Sequence, residues 1–260
     1  MTNDLNKFSM DFFNLNGKVA VVTGGNTGLG QAYAVALAKA GADLLIPTFD
    51  TNWDETRELI EAEGKKVVFV QGDLTKKEDR SKVVNKAIEE FGKIDILINN
   101  AGTIRRTPLL EYKEEDWNAV MDINLNAVYF LSQEVAKIME KQGGGKIINV
   151  ASMLSFQGGK FVPPYTASKH GVAGITKAFA NELACKNIQV NAIAPGYIKT
   201  QNTAPIRADE KRNAEILSRI PADRWADPFD LMGSIVFLAS RASDYVNGHI
   251  LAVDGGWLVR

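Results

Sequence analysis

Tyr165 and Lys169 stand four residues apart in a stretch of helical periodicity, so a phenol and an ammonium share one helix face, one turn from each other. A phenol with its ordinary pKa of ~10 is a weak base near neutrality, and a neighbouring ammonium favours phenolate and lowers that value. The pair is a candidate general acid/base. On its own such a pair is more often an exposed helix contact, but Ser152 lies 13 residues earlier, directly after an apolar β-branched run. Its hydroxyl is expected at the same crevice, where it can polarise a substrate oxygen.

A second constellation is built from glycine. Thr23-Gly24-Gly25-Asn26-Thr27-Gly28-Leu29-Gly30 joins an apolar run to a helical pattern. A strand-to-helix turn this tight needs residues without a Cβ, and their absence also lets a pyrophosphate approach the amides at the helix N-terminus. Gly24, Asn26, Thr27, Gly28, Leu29 and Gly30 are therefore expected to hold a dinucleotide. Thr48, Phe49 and Asp50 close the next apolar run, where an acid would bond the adenosine ribose and an arginine would take a 2′-phosphate. Neither this stretch nor the glycine turn carries Arg or Lys, so NAD(H) is expected over NADP(H). Asp73, followed by Leu74, is placed to meet the adenine edge, with a simple turn or cap as the competing reading. Asn99-Asn100-Ala101-Gly102 follows a further strand and would line the cleft through Asn100, Ala101 and Gly102; alone it would mean only a turn.

These groups need a frame that brings strand ends together. Apolar runs at 18–23, 43–48, 66–70, 94–98, 146–150, 188–193 and 249–253 alternate with helical patterns at 29–40, 53–62, 77–91, 117–139, 165–184 and 229–240. The alternation predicts an α/β fold: one domain over 1–260, with a doubly wound sheet of about seven parallel strands and helices on both faces. A polar, charged excursion over 196–225, with a helix expected over 207–219, interrupts the rhythm. It reads equally as a substrate lid and as a solvated surface helix.

With 260 residues, 45% of them hydrophobic, and a net charge of −1, the chain has no electrostatic footprint for nucleic acid or a membrane surface, so a small-molecule partner is expected. A single cysteine, Cys185, and two histidines give no internal disulfide and no zinc-ligand spacing, which predicts a reducing compartment and no metal. Residues 1–16 do not have the pattern of a signal peptide, and no apolar run approaches ~18 residues, so a cytoplasmic location is expected.

Taken together, the glycine turn, Asn99 to Gly102, Asn124 in Ile123-Asn124-Leu125, Ser152, Tyr165-x-x-x-Lys169 and Pro195-Gly196 resemble the short-chain dehydrogenase/reductase family from Gly17 onward. The resemblance implies a Rossmann-type sheet, a homotetramer and a tetrad of Asn124, Ser152, Tyr165 and Lys169. Tyr165 would give or take the proton, Ser152 would polarise the oxygen, Lys169 would also hold the nicotinamide ribose, and Asn124 would keep a relay water. Asn126 competes for that last role, and the family's Asn-Leu-x-x-Val spacing selects Asn124. Pro195, Gly196 and Ile198 would add cofactor contacts.

Ala151 to Gly159, Arg207-Ala208-Asp209-Glu210, Asp244 to Gly248 and Asp254-Gly255-Gly256-Trp257 further resemble a bacterial branch of that family, the 2-dehydro-3-deoxy-D-gluconate 5-dehydrogenases, also labelled 2-deoxy-D-gluconate 3-dehydrogenases or gluconate 5-dehydrogenases. That resemblance implies interconversion of 3-deoxy-D-glycero-2,5-hexodiulosonate and 2-dehydro-3-deoxy-D-gluconate during breakdown of uronates from pectin or glycosaminoglycans. For such a substrate Arg105 and Arg106 offer forks for a carboxylate, with Arg224 and Arg260 as further candidates, each weighed against a solvated surface charge. Gln157 and Tyr197 offer hydroxyl contacts, with packing of Tyr197 against the nicotinamide as the equal alternative. The alternatives are a gluconate 5-dehydrogenase, a 3-oxoacyl-carrier-protein reductase, and a dinucleotide-binding regulator without turnover. Trp257 and Leu258 read as interface or core.

Overall fold

The computed structural model describes residues 7–260; residues 1–6, the start of the stretch expected to carry no signal peptide, lie outside the described residues. The seven apolar runs form strands β1 (Val19–Val22), β2 (Asp43–Thr48), β3 (Val67–Gln71), β4 (Ile96–Asn99), β5 (Gly145–Val150), β6 (Ile188–Pro195) and β7 (Ile250–Val253). All pair in parallel, in the order β3-β2-β1-β4-β5-β6-β7. The helices are α1 (Gly28–Lys39), α2 (Asp54–Glu61), α3 (Lys77–Phe91), α4 (Glu114–Met121), α5 (Ala127–Gln142), α6 (Pro163–Leu183), α7 (Ala204–Ala208), α8 (Glu210–Leu217) and α9 (Met232–Ala239).

Strand side chains alternate between two cores. Ala20, Val22, Leu44, Ile46, Ile96 and Ile98 face α1 and α9, whereas Val21, Leu45 and Leu97 face α3, α5 and α6. Both sheet faces are dry, which is why the strands read as unbroken apolar runs rather than alternating ones. A polar thread runs between β4, β5 and their helices: Asn99 Nδ2 donates to Ser132 Oγ and Asn149 Oδ1, both at 2.8 Å, and Asn149 Nδ2 donates to Thr176 Oγ1 at 2.9 Å. Such buried amides fix the register of the strands whose ends carry the site, because an unmade hydrogen bond there costs about 1–3 kcal/mol.

Two expected helices differ. The pattern over 117–139 is not one helix: a π-turn, Asp122–Asn126, separates α4 from α5. The turn accommodates one residue more than an α-turn and directs Asn124 inward without disturbing the apolar stripe on either side. The helix expected over 207–219 breaks at Asp209, whose carboxylate accepts from Arg212 N at 3.0 Å and so starts α8 afresh.

The excursion over 196–225 has a small core of its own. Ile216, Ile220 and Trp225 are buried with Met153 and Trp257, and Tyr197, Ile206, Leu217 and Leu258 pack against them. Trp257 is thus a core residue with the half-buried Leu258 packed against its cluster, and the excursion is more than a solvated helix. Among the described residues no helix is long and apolar enough to cross a membrane.

Candidate active site

The glycine turn leaves β1 beside the loop that follows β4, at the point where the sheet order reverses direction. Gly24 and Gly28 have φ of +61° and +56°, the left-handed region that favours glycine. A Cβ on Gly30 would lie 2.1 Å from the Gly24 carbonyl oxygen and 2.5 Å from Asn100 Nδ2. Asn100 holds the turn by donating to the Thr23 and Gly24 carbonyls at 2.9 and 3.2 Å, while Thr23 Oγ1 accepts from the amides of Asn100 and Ala101. At the start of α1 the N-cap Thr27 makes no side-chain capping bond. A cradle kept open in this way, with helix amides uncapped by a side chain, fits a dinucleotide pyrophosphate.

Beyond β2, Asp50 Oδ1 accepts from Asn26 Nδ2 at 2.8 Å and from Asn52 N at 3.1 Å, an arrangement that fixes the carboxylate at the cleft while it remains exposed. Thr48 is buried, and its hydroxyl donates to the Asp50 carbonyl and accepts from Trp53 Nε1. It braces Asp50. Asp73 accepts from the Thr75 amide and hydroxyl; burial opposes its ionisation, but these bonds and Lys76 hold its pKa below the ordinary carboxylate value. These bonds are those of the turn reading. Leu74 and Ile198 are core residues, and Gly196 N donates to Val253 O, which ties the end of β6 to β7.

Ser152 follows β5 and caps a short 3₁₀ turn, Met153–Ser155, accepting from Leu154 N at 3.1 Å. In the same turn Ser155 Oγ donates to the Lys169 carbonyl at 2.7 Å, which locks the turn onto α6. Tyr165 and Lys169 lie in the first two turns of α6, as their spacing predicts. Lys169 is buried; its Nζ donates to Val150 O at 2.6 Å and lies 5.4 Å from the Tyr165 ring centroid. Burial pulls the Lys169 pKa down to about 8. Tyr165 departs from expectation: burial raises its pKa, while a hydrogen bond with Ser152 and the charge of Arg106 work against that rise. Desolvation outweighs the neighbours because the ammonium is itself buried and committed to a backbone carbonyl.

Asn124 is buried between three elements. Its Oδ1 accepts from Thr103 N at 2.8 Å, and its Nδ2 donates to Thr103 O at 2.9 Å and to Ser168 Oγ at 3.2 Å. The side chain therefore fixes the β4 loop to α6. Gly102 is required beside it, since a Cβ there would come within 2.9 Å of Asn124 Oδ1. Asn126 instead donates to Asp122 on the exposed side.

The arginines divide sharply. Arg105, expected as a substrate contact, pairs with Asp116 at 3.8 Å. Arg106 is close enough to influence Tyr165, and its Nη2 donates to Asn202 O at 3.3 Å. Arg224 is held by Asp230 through two 2.7 Å bonds, and Arg260 donates to Ser218 O; both are spent on structure. Tyr197 packs edge-on to Trp225 and Trp257, with ring centroids 5.1 and 4.8 Å away, rather than standing free. Burial raises its pKa, opposed by Arg212, Arg219 and Arg106. Gln157 accepts from Arg219 Nη2 at 3.4 Å. Sequence reasoning missed Arg219, whose partner lies 62 positions away in the chain. A cavity of about 210 Å³ opens beneath the excursion, lined by Gly196, Tyr197, Ile220, Arg224 and Asp254 among others.

A seven-stranded parallel sheet with a glycine cradle, and a Ser-Tyr-Lys group formed by the end of β5 and the start of α6, defines a dinucleotide-dependent oxidoreductase acting on a CH–OH group. The chain belongs to the short chain dehydrogenase family, whose model matches residues 18–211. It is 58% identical over 250 residues to the 2-dehydro-3-deoxy-D-gluconate 5-dehydrogenase of Escherichia coli K12, covering 95% of this chain and 98% of that one. Among solved structures, an Agrobacterium tumefaciens protein with bound NADP is 51% identical with a TM-score of 0.89, covering 95% of this chain and 99% of that one. A gluconate 5-dehydrogenase from Burkholderia cenocepacia in complex with NADP and tartrate is 36% identical with a TM-score of 0.91, covering 96% and 98%.

Proposed function

We propose that this enzyme interconverts 3-deoxy-D-glycero-2,5-hexodiulosonate and 2-dehydro-3-deoxy-D-gluconate with NAD(H), within uronate catabolism. The observation that carries the reading is Arg106, whose charge acts on the Tyr165 phenol and which forms no salt bridge among the described residues: a proton-transfer group with an uncommitted cation near it is what a ketone that also bears a carboxylate requires. The names of the curated relatives point the same way.

The dinucleotide would be held by the glycine turn, Asp50 and Lys169, and would supply or accept the hydride. Tyr165, whose raised pKa keeps it protonated at neutrality, donates its proton to the oxygen as negative charge grows there, and the Ser152 hydroxyl hydrogen-bonds the same oxygen. Lys169 lies one helical turn from the phenol, with its Nζ bonded to Val150 O. Asn124 acts by anchoring the loop after β4 to α6, with its side-chain amide engaged on both sides. NAD(H) is favoured by the braced Asp50 carboxylate, which would repel a 2′-phosphate; the bound NADP of two relatives argues the other way.

The test follows absorbance at 340 nm with NADH and with NADPH, offering 3-deoxy-D-glycero-2,5-hexodiulosonate beside 5-dehydro-D-gluconate. Higher kcat/KM with NADH and the deoxy acid is expected. Preference for 5-dehydro-D-gluconate would make this a gluconate 5-dehydrogenase, and silence with both acids would reject the reading.

A further inference from the structure

The arginines near the pocket fall into two electrostatic classes. Arg105, Arg212 and Arg224 are neutralised by Asp116, Glu215 and Asp230. Arg106, Arg207 and Arg219 form no salt bridge among the described residues; their guanidinium groups donate to neutral oxygens, those of Asn202, Thr200 and Gln157. A guanidinium parked on a neutral oxygen gives up little when a carboxylate replaces that partner, because charge-assisted pairs are roughly twice as strong.

Arg219 differs from the other two in how it is held. It follows α8 at the base of the excursion, and its guanidinium carbon lies 4.1 Å from the Trp257 ring centroid. Trp257 is buried and contacts Tyr197, whose centroid is 4.8 Å away. The indole supports one face of the guanidinium and leaves its donor edges available, a preorganised fork for a planar anion. Its acceptor, Gln157, sits in the segment just after Ser152 and Met153, so the contact joins the excursion to the loop that bears the reacting hydroxyl. At 3.4 Å this bond is long, and is the weakest of the three.

We propose that Arg219 is a substrate-specificity residue that receives the carboxylate of a keto-aldonate, exchanging Gln157 for the anion and working with Arg106 on the β4 loop. The assignment rests on the sugar-acid reading above. Bound substrate then bridges the excursion and the β4 loop through its charged end, while its carbonyl meets Ser152 and Tyr165.

The test compares 5-dehydro-D-gluconate with its methyl ester on the full-length enzyme, in wild type, Arg219→Gln, Arg219→Lys and the neutralised neighbour Arg212→Gln. Wild type is expected to show a KM for the ester about tenfold or more above that for the acid. Arg219→Gln should raise KM for the acid about 10–100-fold, change kcat less than about threefold and leave the ester unaffected, so that discrimination collapses. Arg219→Lys, which keeps the charge but loses the fork, should fall between, and Arg212→Gln should stay within about twofold of wild type. An unchanged dinucleotide KM in each variant verifies the fold. Wild-type discrimination that survives in Arg219→Gln overturns the inference and leaves the sugar-acid reading intact. Equal use of acid and ester by wild type also overturns it, and a wild type inert toward every sugar acid removes both.

Discussion

At the scale of single residues the site is governed by desolvation. Tyr165 and Lys169 are each pushed toward their neutral forms, the phenol upward and the ammonium down to about 8. The Tyr165 hydroxyl is thereby kept as a donor, which suits carbonyl reduction. Replacing Tyr165 with Phe removes only the proton-bearing oxygen, so kcat should fall about 10²–10⁴-fold while the dinucleotide Kd, measured by fluorescence titration, stays within about twofold. Retained turnover would reject Tyr165 as the acid. Lys169 has a stability consequence whose sign follows from its shift. Below about pH 8 folded and unfolded states both carry the proton, and above about pH 10.5 neither does; between these values only the unfolded chain binds it. The contribution of Lys169 to stability therefore increases as pH rises through that window. The Tm of wild type minus that of Lys169→Met should climb between pH 8 and 10.5 and be level below it, and a flat difference would contradict the assignment.

Elements position these residues through contacts that sequence displays unevenly. Gly30 could be read from its place at a strand-to-helix turn, and its packing gives the reason in numbers, a Cβ 2.1 Å from the Gly24 oxygen. Gly30→Ala should cost about 1–3 kcal/mol by overpacking and raise the dinucleotide KM more than the substrate KM; thermal melts with and without NADH, together with initial rates, check both. The strands were legible because a sheet buried on both faces leaves unbroken apolar runs. The π-turn was not, because one extra residue around Asn124 leaves the apolar spacing of α4 and α5 nearly unchanged. The break at Asp209 carries a readable cap, though one masked by helix-forming residues on both sides. Arg105 and Arg106 are indistinguishable in sequence; only Asp116, placed by α4, separates them. Arg219 left no local signal, since its contacts to Gln157 and Trp257 come from distant parts of the chain.

Over the whole molecule, the C-terminal segment is a structural part of the site. Trp257 fills the cluster beneath the excursion, Ala222 N donates to Gly255 O, and Arg260 donates to Ser218 O. Trp257→Ala should destabilise the fold by about 3–5 kcal/mol in a urea titration. It should also raise the substrate KM well beyond the dinucleotide KM, because it loosens the excursion and leaves the glycine cradle alone; equal effects on both would place Trp257 in the general core. The same arrangement orders events during synthesis. The first strands and their glycine turn leave the ribosome early, whereas the excursion packs in part on Trp257 and Leu258, which are synthesised after it. A nascent chain can thus shape a nucleotide cradle before the floor beneath its excursion is in place.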